Sequence, residues 1–517
     1  MTTSPPPAAP VARPLDRGVF VVAGVVVLGA IMSILDVTVV SVAQPTFIQT
    51  FHTTTAGAAW SMTGYTLALA AVIPLSSWTV ARFGTKRVYM TSLVLFVLGS
   101  ILCATAGSMT ELIIYRMIQG LGGGLLMPVG MMIMTRAAGP DRVGSVMAVL
   151  GIPMLLGPIA GPILGGWLIE IASWHWVFLI NIPIGIIALI YAFFALKDDA
   201  EPSPARIDFL GLLLLSPGLA LFLYGVSSSA EHRTFATPAV YVPMIIGGAL
   251  ILGFIYHALR SKNPLLDLRL FKNPTLRIAV ISMVFFMIAF FGASLLYPQY
   301  FISVRGESTL VAGLLLAPQG LGAMLTMPIA GRMTDKMGPG KFVLSGLVLI
   351  LIGFVVFTQL STTTPYWVLC LALFVQGLGM GMTMMPIMSS ALATLRPKQV
   401  PDGSTLVNVI QQTASSIGTA VITVIFTGML TVTTRDLLQS ASAAPDTSAP
   451  VDPEKAAAMQ QAFETARVNM AESYGHTFWV AVGLIAVTFI PAFFLPRTKI
   501  AAAENEESVD LPPAMMH

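Results

Sequence analysis

The sequence predicts an all-α polytopic membrane protein. Of its 517 residues, 56% are hydrophobic and only 10% are charged, and the mean hydropathy is +0.83. These values lie outside the usual range for a water-soluble protein of this length. The apolar residues also form long runs without the alternation of barrel strands, and a backbone in lipid must satisfy its own hydrogen bonds. The spans are therefore expected to be helices.

Fourteen apolar stretches are long enough to act as membrane spans. Each must cover about 30 Å of hydrocarbon, which takes roughly 20 residues at a rise of about 1.5 Å per residue. The predicted spans are 18–43, 56–80, 88–107, 111–134, 143–170, 175–196, 208–226, 239–259, 278–302, 309–333, 341–360, 366–392, 405–430 and 476–495.

The distribution of basic residues predicts the orientation. If the N-terminus is inside, the cytoplasmic segments hold 21 of the 27 Lys and Arg residues, the other side holds five, and Arg116 lies within a span. The positive-inside rule then places both termini in the cytoplasm, in a cell inner (cytoplasmic) membrane. The net charge of +3 reflects these loops. No soluble basic domain is present, so nucleic acid is not expected as a partner.

Several patterns argue against a membrane-embedded enzyme. Cys103 and Cys370 lie in apolar spans without metal-ligand spacing, and the six His are scattered with no HExxH sequence. No paired acids lie within the spans, and no Walker sequence is present to use ATP. Neither a metal site nor a cofactor is therefore expected.

Internal repetition predicts the domain organisation. The stretch "PLSSWTVARFG" from Pro74 recurs as "PIAGRMTDKMG" from Pro328, at an offset of 254, and "QGLGGGLLMP" from Gln119 recurs as "QGLGMGMTMMP" from Gln376, at an offset of 257. Two parallel six-helix bundles separated by two inserted spans explain both matches. The predicted segments are a disordered cytoplasmic N-terminus (1–17), the first bundle (18–196), the inserted spans (208–259), the second bundle (278–495) with an extracytoplasmic segment (431–475), and a cytoplasmic tail (496–517).

Five stretches together resemble the motifs of a known family. They are "LDVTVVSVAQP" in the first span, "YRMIQGLGGG" in the fourth, "GIPMLLGPIAGPILGGWL" in the fifth, "WHWVFLINIPIG" entering the sixth and "GRMTDKMG" after the tenth. The chain resembles the major facilitator superfamily, specifically its 14-span drug:proton antiporters of the EmrB/QacA type, over nearly its whole length. The resemblance implies the major facilitator fold with 14 transmembrane helices and a secondary active transporter rather than an enzyme.

The resemblance also implies a function. It indicates proton-coupled efflux of lipophilic or amphipathic small molecules by alternating access, that is, multidrug antiport. Fold does not decide between this and other cargoes. An exporter of a specific metabolite or lipid-like molecule, a nutrient importer and a non-transporting sensor are the alternatives, and the motif of the fifth span favours export.

One acid and one base lie deep in the predicted spans. Asp36 is surrounded by Val, Leu and Ile in the first span, and Arg116 is the only cation deep in a span. A charge at the bilayer centre costs about 3 kcal/mol on insertion scales, so both side chains are expected to face the bundle interior and to pair. The resemblance implies that they couple transport to protons. The alternatives are a structural ion pair that fixes helix register and an Asp that caps a broken helix near Pro45.

The resemblance implies conformational or gating roles for further residues in the fifth span and in the loops after the second and tenth spans. They are Gly157, Pro158, Gly161, Pro162, Arg82, Gly84, Asp335, Lys336 and Gly338. The first loop departs from the pattern, because Ser77 and Ala81 stand where it has Gly and Asp. Ordinary close helix packing and positive-inside loops are the alternatives.

Polar residues within the spans are candidates for substrate binding. A lipophilic ligand needs a few orienting polar groups among flexible thioethers and aromatic rings, and the chain has 29 Met and 28 Phe. The candidates are Gln44, Tyr65, Gln119, Tyr297, Gln299, Gln319, Gln376, Asn408 and Gln411. The alternative is that some of them only join helices through hydrogen bonds.

The expected partners are a lipophilic small-molecule substrate, protons and the lipid bilayer. The segment 431–475 predicts a helix at the outer surface, since Asp452 before Pro453 has the pattern of a helix start. The resemblance implies a possible periplasmic adaptor protein as a partner of this segment, and a solvated loop is the alternative.

Overall fold

The computed structural model describes residues 17–139, 142–197, 206–430 and 453–498. Within these ranges, thirteen helices are long and apolar enough to cross a membrane. Val143–Ile171 forms a further helix of 29 residues, whose sequence carries a single charged residue, Glu170. Together these fourteen helical regions match the all-α polytopic fold predicted. The tail 1–16, most of the tail 496–517 and residues 431–452 of the extracytoplasmic segment lie outside the described residues.

The first half of the chain contains six spans. Their helices are α1 (Arg17–Thr50), α2 (Thr55–Val72), α3 (Ser76–Phe83), α4 (Thr85–Ala104), α5 (Met109–Ala138), α6 (Val143–Ile171), α7 (Trp176–Leu179) and α8 (Asn181–Ala195). A 3-10 turn at Ile73–Leu75 joins α2 to α3. Pro74 lies in this turn and has no backbone N–H to continue an α-helix.

Two inserted helices and six further spans follow. The inserted helices are α9 (Phe209–His232) and α10 (Pro238–Arg260), and the second half contains α11 (Pro274–Ser294), α12 (Leu296–Ser303), α13 (Thr309–Met337), α14 (Gly340–Phe357), α15 (Tyr366–Ala393), α16 (Val400–Met429) and α17 (Pro453–Phe493).

The two halves repeat the same packing scheme. In the first half α1 packs against α6 and α8, and α5 packs against α2 and α4. In the second half α11 packs against α16 and α17, and α15 packs against α13 and α14. The helices that carry the repeated sequences, α5 and α15, thus occupy equivalent places. The principal apolar core runs through both halves.

The inserted helices lie at one side of the interface between the halves. The first of them, α9, packs against α2 and α16, whereas α10 packs mainly on α9. Asp208 joins the start of α9 to the end of α10, since its carboxylate accepts hydrogen bonds from Gly211 N (2.9 Å) and Leu265 N (3.0 Å) and contacts His257 Nε2 (2.9 Å). It therefore caps α9 and holds the end of α10 beside it.

The last helix is longer than the predicted span 476–495. It extends over 41 residues, Pro453–Phe493, so its length of about 60 Å is roughly twice the hydrocarbon thickness. The helix predicted at the outer surface is thus continuous with the last span. Arg467 Nε donates to Val304 O (3.0 Å), which joins the outer part of α17 to the end of α12.

Candidate functional site

Asp36 lies on α1 in the middle of the first half, with 1% of its surface exposed. Its Oδ2 contacts Nη1 of Arg116, whose side chain is also fully buried. Its Oδ1 accepts hydrogen bonds from Gln119 Nε2 (2.8 Å) and Asn181 Nδ2 (3.0 Å). The carboxylate is thus matched by one cation and two amide donors, which is the environment that a buried charge requires.

Arg116 joins α5 to α1 and α2. Its Nε donates to Ser61 O (3.1 Å), and its Nη1 also donates to Gln119 Oε1 (2.6 Å). The guanidinium lies over the ring of Tyr65, 4.3 Å from its centroid, and this cation–π contact stabilises the charge further. Nη2 is buried without a hydrogen-bond partner. One nitrogen of the guanidinium therefore has no acceptor among the described residues.

Glycines bring these polar side chains together. An added Cβ at Gly120 would lie 2.5 Å from Tyr65 O, and one at Gly99 would lie 2.6 Å from the Cα of Gln119. Only glycine permits such close approach of α5 to α2 and α4. Arg116 and Gln119 are three residues apart and share one face of α5. The sequence "RMIQGLGGG" therefore builds both the contacts and the site.

A ring of neutral groups surrounds the ion pair. Ser100 Oγ accepts from Gln119 Nε2 (2.7 Å) and Asn181 Nδ2 (3.2 Å). The Cys103 thiol lies 3.6 Å from Gln119 Oε1, and Ser33 Oγ lies 3.2 Å from the Tyr65 hydroxyl. The Asp36 cluster, as we call it, consists of Asp36, Arg116 and Gln119 together with their neighbours Ser33, Ser61, Tyr65, Ser100, Cys103 and Asn181.

The sequence did not single out Asn181, Ser100, Ser61, Ser33 or Cys103. Asn181 had a signal, because it is the one polar side chain in the apolar run "VFLINIPIG" at the break between α7 and α8. The sequence gives no comparable signal for the serines, because serine is common wherever helices pack closely.

The equivalent place in the second half holds a neutral cluster. Gln376, the repeat of Gln119, accepts at Oε1 from the Tyr297 hydroxyl (2.8 Å) and from Gln319 Nε2 (2.7 Å). Its Nε2 is buried without a hydrogen-bond partner. The three residues thus lie together, as a binding site would need, and leave one amide group unsatisfied.

The remaining substrate candidates lie apart from both clusters. Gln44 Nε2 lies 2.9 Å from the sulfur of Met62, and Asn408 Nδ2 lies 2.9 Å from the sulfur of Met131. Gln299 on α12 and Gln411 on α16 are half-buried. Asn408 joins the halves, since it lies on α16 and Met131 lies on α5. The nine candidates therefore do not form one continuous site in this conformation.

The gating candidates divide into contacting and exposed residues. Asp335 on α13 accepts from Gly144 N (2.8 Å), Ser145 N (3.0 Å) and Ser145 Oγ (2.7 Å), so it caps the start of α6 in the other half. Arg82 and Lys336 are exposed. Gly84 (φ 84°) and Gly338 (φ 83°) have the left-handed backbone that favours glycine, and they end α3 and α13.

The glycine stripe of α6 lies against α1 on both sides of Asp36. An added Cβ at Gly157 would lie 2.1 Å from Ile34 Cγ2, and one at Gly161 would lie 2.0 Å from Thr38 Oγ1. Pro158 and Pro162 lie within the unbroken α6, and their side chains are outside the described part of the chain. The helix that Asp335 caps is thus in direct contact with the helix that carries Asp36.

Several contacts between the two halves lie near one end of the bundle, where α3, α6 and α16 begin and α13 ends. Besides the Asp335 contacts, Ser76 Oγ lies 2.6 Å from Thr405 Oγ1, and an added Cβ at Gly331 would lie 2.6 Å from Gly144 O. These interactions hold α3 against α16 and α13 against α6. The two halves are therefore in close contact at this end of the bundle. Among the described residues, no group of acidic, His or Cys side chains could hold a metal ion.

A repeated bundle of membrane-spanning helices around a buried ion pair defines a polytopic membrane transporter. The profile of the Major Facilitator Superfamily matches residues 26–419, and the chain belongs to this family. The solved structures agree in fold. The human organic anion transporter MFSD10 superimposes with a TM-score of 0.60 at 16% identity, covering 91% of this chain and 100% of that one. The proton:xylose symporter XylE gives 0.57 at 15% identity, covering 91% and 96%.

Curated relatives match over almost the whole length. The multidrug resistance protein B homolog of Mycobacterium tuberculosis (strain H37Rv) is 44% identical over 512 residues, which are 96% of this chain and 95% of the relative. The lincomycin resistance protein LmrB of Bacillus subtilis is 28% identical over 475 residues, which are 92% and 95% of the two chains.

Proposed function

We propose that this protein is a secondary active transporter that exports lipophilic or amphipathic small molecules in exchange for protons, by alternating access. The observation that carries the proposal is the buried Asp36–Arg116 pair with its amide donors. Membership of the superfamily and the names of the multidrug and lincomycin resistance relatives support export of drugs. Ionisable groups inside a membrane bundle are typical of proton pathways.

Asp36 is the proton carrier in this proposal. The ionised carboxylate is held by Arg116, Gln119 and Asn181, and a proton on Asp36 removes the charge that these donors match. Arg116 then has no counter-ion, since Nη1 keeps only its hydrogen bond to Gln119 Oε1 and Nη2 has no partner. Protonation thus weakens the contact between α1 and α5 and favours a different arrangement of the bundle.

Movement at Asp36 reaches the interface through α6. Ile34 and Thr38, on either side of Asp36, contact Gly157 and Gly161 of α6, and the start of α6 is capped by Asp335 of the other half. A shift of α1 is therefore transmitted to the contact that closes the cytoplasmic side. The smooth glycine surface lets the two helices slide without a change of side-chain packing.

The substrate site in this proposal lies between the halves. Asn408 and Gln411 on α16 supply polar groups there, and Met131 supplies a polarizable one. Tyr297, Gln319 and Gln376 form the polar group of the second half. Tyr65 and Gln119 are fully buried partners of the ion pair, so we assign them to proton coupling rather than to ligand contact.

The proposed location is the cell inner membrane, with both termini in the cytoplasm. The excess of Lys and Arg on one side supports this orientation. It places the extension of α17 on the outer side, where a periplasmic adaptor protein is a possible partner and a solvated surface helix is the simpler alternative. A specific metabolite, a lipid-like molecule or an imported nutrient remains the alternative cargo.

The test is transport by the purified protein in proteoliposomes. Movement of ethidium, a permanently charged lipophilic dye, is followed under an imposed pH gradient for the native protein, for Asp36→Asn and for the control Glu464→Gln on the exposed part of α17. We expect gradient-driven movement in the native and control proteins and none in Asp36→Asn, with dye binding retained. Equal transport by Asp36→Asn would contradict the assignment of Asp36. Absence of transport in all three would exclude ethidium as a substrate.

A further inference from the structure

The two repeat-related interfaces at the cytoplasmic side are built differently. In the α13–α6 latch, defined by Asp335 with Gly144 and Ser145, an acid of α13 caps the start of α6. At the repeat offset of 254, Asp335 corresponds to Ala81 on α3. The α3–α16 interface thus has a methyl group where its counterpart has a carboxylate.

The start of α16 also differs from the start of α6 in its hydrogen bonds. The dipeptide Gly144–Ser145 recurs at the start of α16 as Gly403–Ser404. Ser145 Oγ donates to Asp335 at 2.7 Å, whereas Ser404 Oγ is buried without a hydrogen-bond partner. A buried hydroxyl without a partner is unfavourable. The Ser404 hydroxyl on α16 thus lacks an acceptor such as the one that Asp335 provides for Ser145 on α6.

An acid is present at the α3–α16 interface, but it comes from the opposite helix. Asp402 lies in the first turn of α16, where α6 has Val143, and its carboxylate neighbours the Ser77 side chain of α3, whose hydroxyl also donates to Leu265 O (3.3 Å). Ser77 occupies the place of Gly331. Asp402, Ser77 and Ala81 line one polar cavity of about 570 Å³.

We propose that Asp402 is the acid of a second cytoplasmic latch, and that its contact with Ser77 replaces, in the reverse direction, the contact that Asp335 makes with α6. The proposal rests on the alternating-access part of the proposed function and is independent of the proton carrier. Three linked differences carry it: Gly331 is replaced by Ser77, Asp335 by Ala81, and Val143 by Asp402.

The surroundings of Asp402 fit a contact that forms only when the halves meet. The acid is favoured at the start of its own helix by the helix dipole, and the same cavity is lined by the cations Arg206 and Lys262 and by the acids Asp208 and Asp267. Ser76 and Thr405 join the same two helices one turn away. Separation of α3 from α16 removes the Ser77 hydroxyl from Asp402 and opens this polar cavity to the cytoplasm.

A purely local role is the competing explanation, in which Asp402 only stabilises the start of α16. The repeat provides a test that separates the two. Ala81→Asp returns an acid to the position equivalent to Asp335, where it would face the buried hydroxyl of Ser404. In a chain that also carries Asp402→Val, this substitution restores a latch while α16 still lacks its acid.

The experiment measures the distance between spin labels on Phe83→Cys and Pro397→Cys in lipid nanodiscs, in a chain with Cys103→Ser and Cys370→Ser. Both labelled positions are exposed at the cytoplasmic ends of the two helices. The variants are Asp402→Val, which copies Val143, the double variant Asp402→Val/Ala81→Asp, and the control Asp267→Asn. Asp267 lines the same cavity but belongs to the segment before α11.

We expect Asp402→Val to raise the ratio of molecules with a long distance between the labels to molecules with a short distance by about tenfold. This is the effect of one hydrogen bond to a charged group. The double variant should return the ratio toward the native value, and Asp267→Asn, which only removes a like charge near Asp402, should not raise it. An unchanged ratio in Asp402→Val, or a double variant as open as Asp402→Val, would overturn the proposal.

Ala81→Asp in the otherwise native chain decides the question if Asp402→Val does not fold. It should lower the ratio below the native value, because Ser404 gains a partner, and an unchanged ratio would count against the latch. Asp36→Asn is assayed separately for gradient-driven transport. Loss of transport there with no effect of residue 402 on the distances would reject the latch while leaving the proton carrier in place.

Discussion

Asn181 and Gln119 donate to the same oxygen of Asp36, at 3.0 and 2.8 Å, from two helices that are distant in sequence. Asn181 is the first residue of α8, directly after the break that follows α7. Asp36 is therefore tied to the break within the sixth span, as well as to Arg116.

Asn181→Leu removes a donor from the ionised form of Asp36. A buried carboxylate that loses a donor is less well satisfied, so proton-driven transport should fall by about tenfold. The measurement is the rate of dye transport at a constant pH gradient. Ser33→Ala is the control, since Ser33 contacts Tyr65 rather than Asp36, and an equal fall in that variant would argue against a specific effect.

Arg116→Gln should destabilise the protein strongly, by about 3–5 kcal/mol, because it leaves a buried carboxylate without its cation. The double variant Asp36→Asn/Arg116→Gln should recover most of the stability without recovering proton coupling. The midpoint of thermal unfolding in detergent and dye transport measure the two effects. Additive losses of stability in the double variant would show that the two side chains do not act as a pair.

Gly157→Ala should block transport, because its Cβ would lie 2.1 Å from Ile34 Cγ2. Ile34→Ala in the same chain removes that methyl group and should restore much of the activity. Gly166→Ala is the matched control on the same helix, since nothing lies within 4 Å of its added Cβ. If the control loses as much activity as Gly157→Ala, the effect comes from α6 flexibility and not from its contact with α1.

Asp335→Asn should weaken the contact between α13 and α6, since a neutral amide caps the start of α6 less well than a carboxylate. Ser145→Ala should have a smaller effect, because the two backbone donors remain. Thiol labelling of a cysteine placed at Ala148, beside Gly331, measures the opening. Lys336→Gln, at an exposed position, is the control and should label at the native rate.

Gln119→Leu and Gln376→Leu should differ in kind, although the two residues are related by the repeat. Gln119 contacts Asp36, Arg116 and Ser100, so its loss should abolish proton-driven transport. Gln376 contacts Tyr297 and Gln319, so its loss should change the relative rates for different dyes and leave the pH profile unaltered. The same change in both variants would indicate that the two clusters share one role.

The sequence predicts the spans well because each depends on local composition and length, and the fold class follows from them. It also places Asp36 and Arg116 together, since two isolated charges in apolar helices have few alternatives. It does not reveal Asn181, whose role depends on the packing of α8 beside α1. It does not show that α17 continues outward from the last span, because polar residues such as Arg467 and Glu464 resemble those of a loop.

The candidate substrate residues show the limit of reasoning from polarity alone. Tyr65 and Gln119 are polar and within spans, as are Asn408 and Gln411, yet the first two are sealed beside an ion pair. The difference arises from glycines on α5 that draw three helices together. Such contacts depend on long-range geometry, which residue type does not encode.

The inserted helices make the two lateral faces of the bundle unequal. The halves meet along two sides, and α9 packs across one of them, against α2 and α16. Along the other side α6 and α13 pack directly on each other, and the inserted helices pack elsewhere. The internal repeat is thus two-fold in its helices, whereas the surface that the protein presents to the surrounding lipid differs between its two sides.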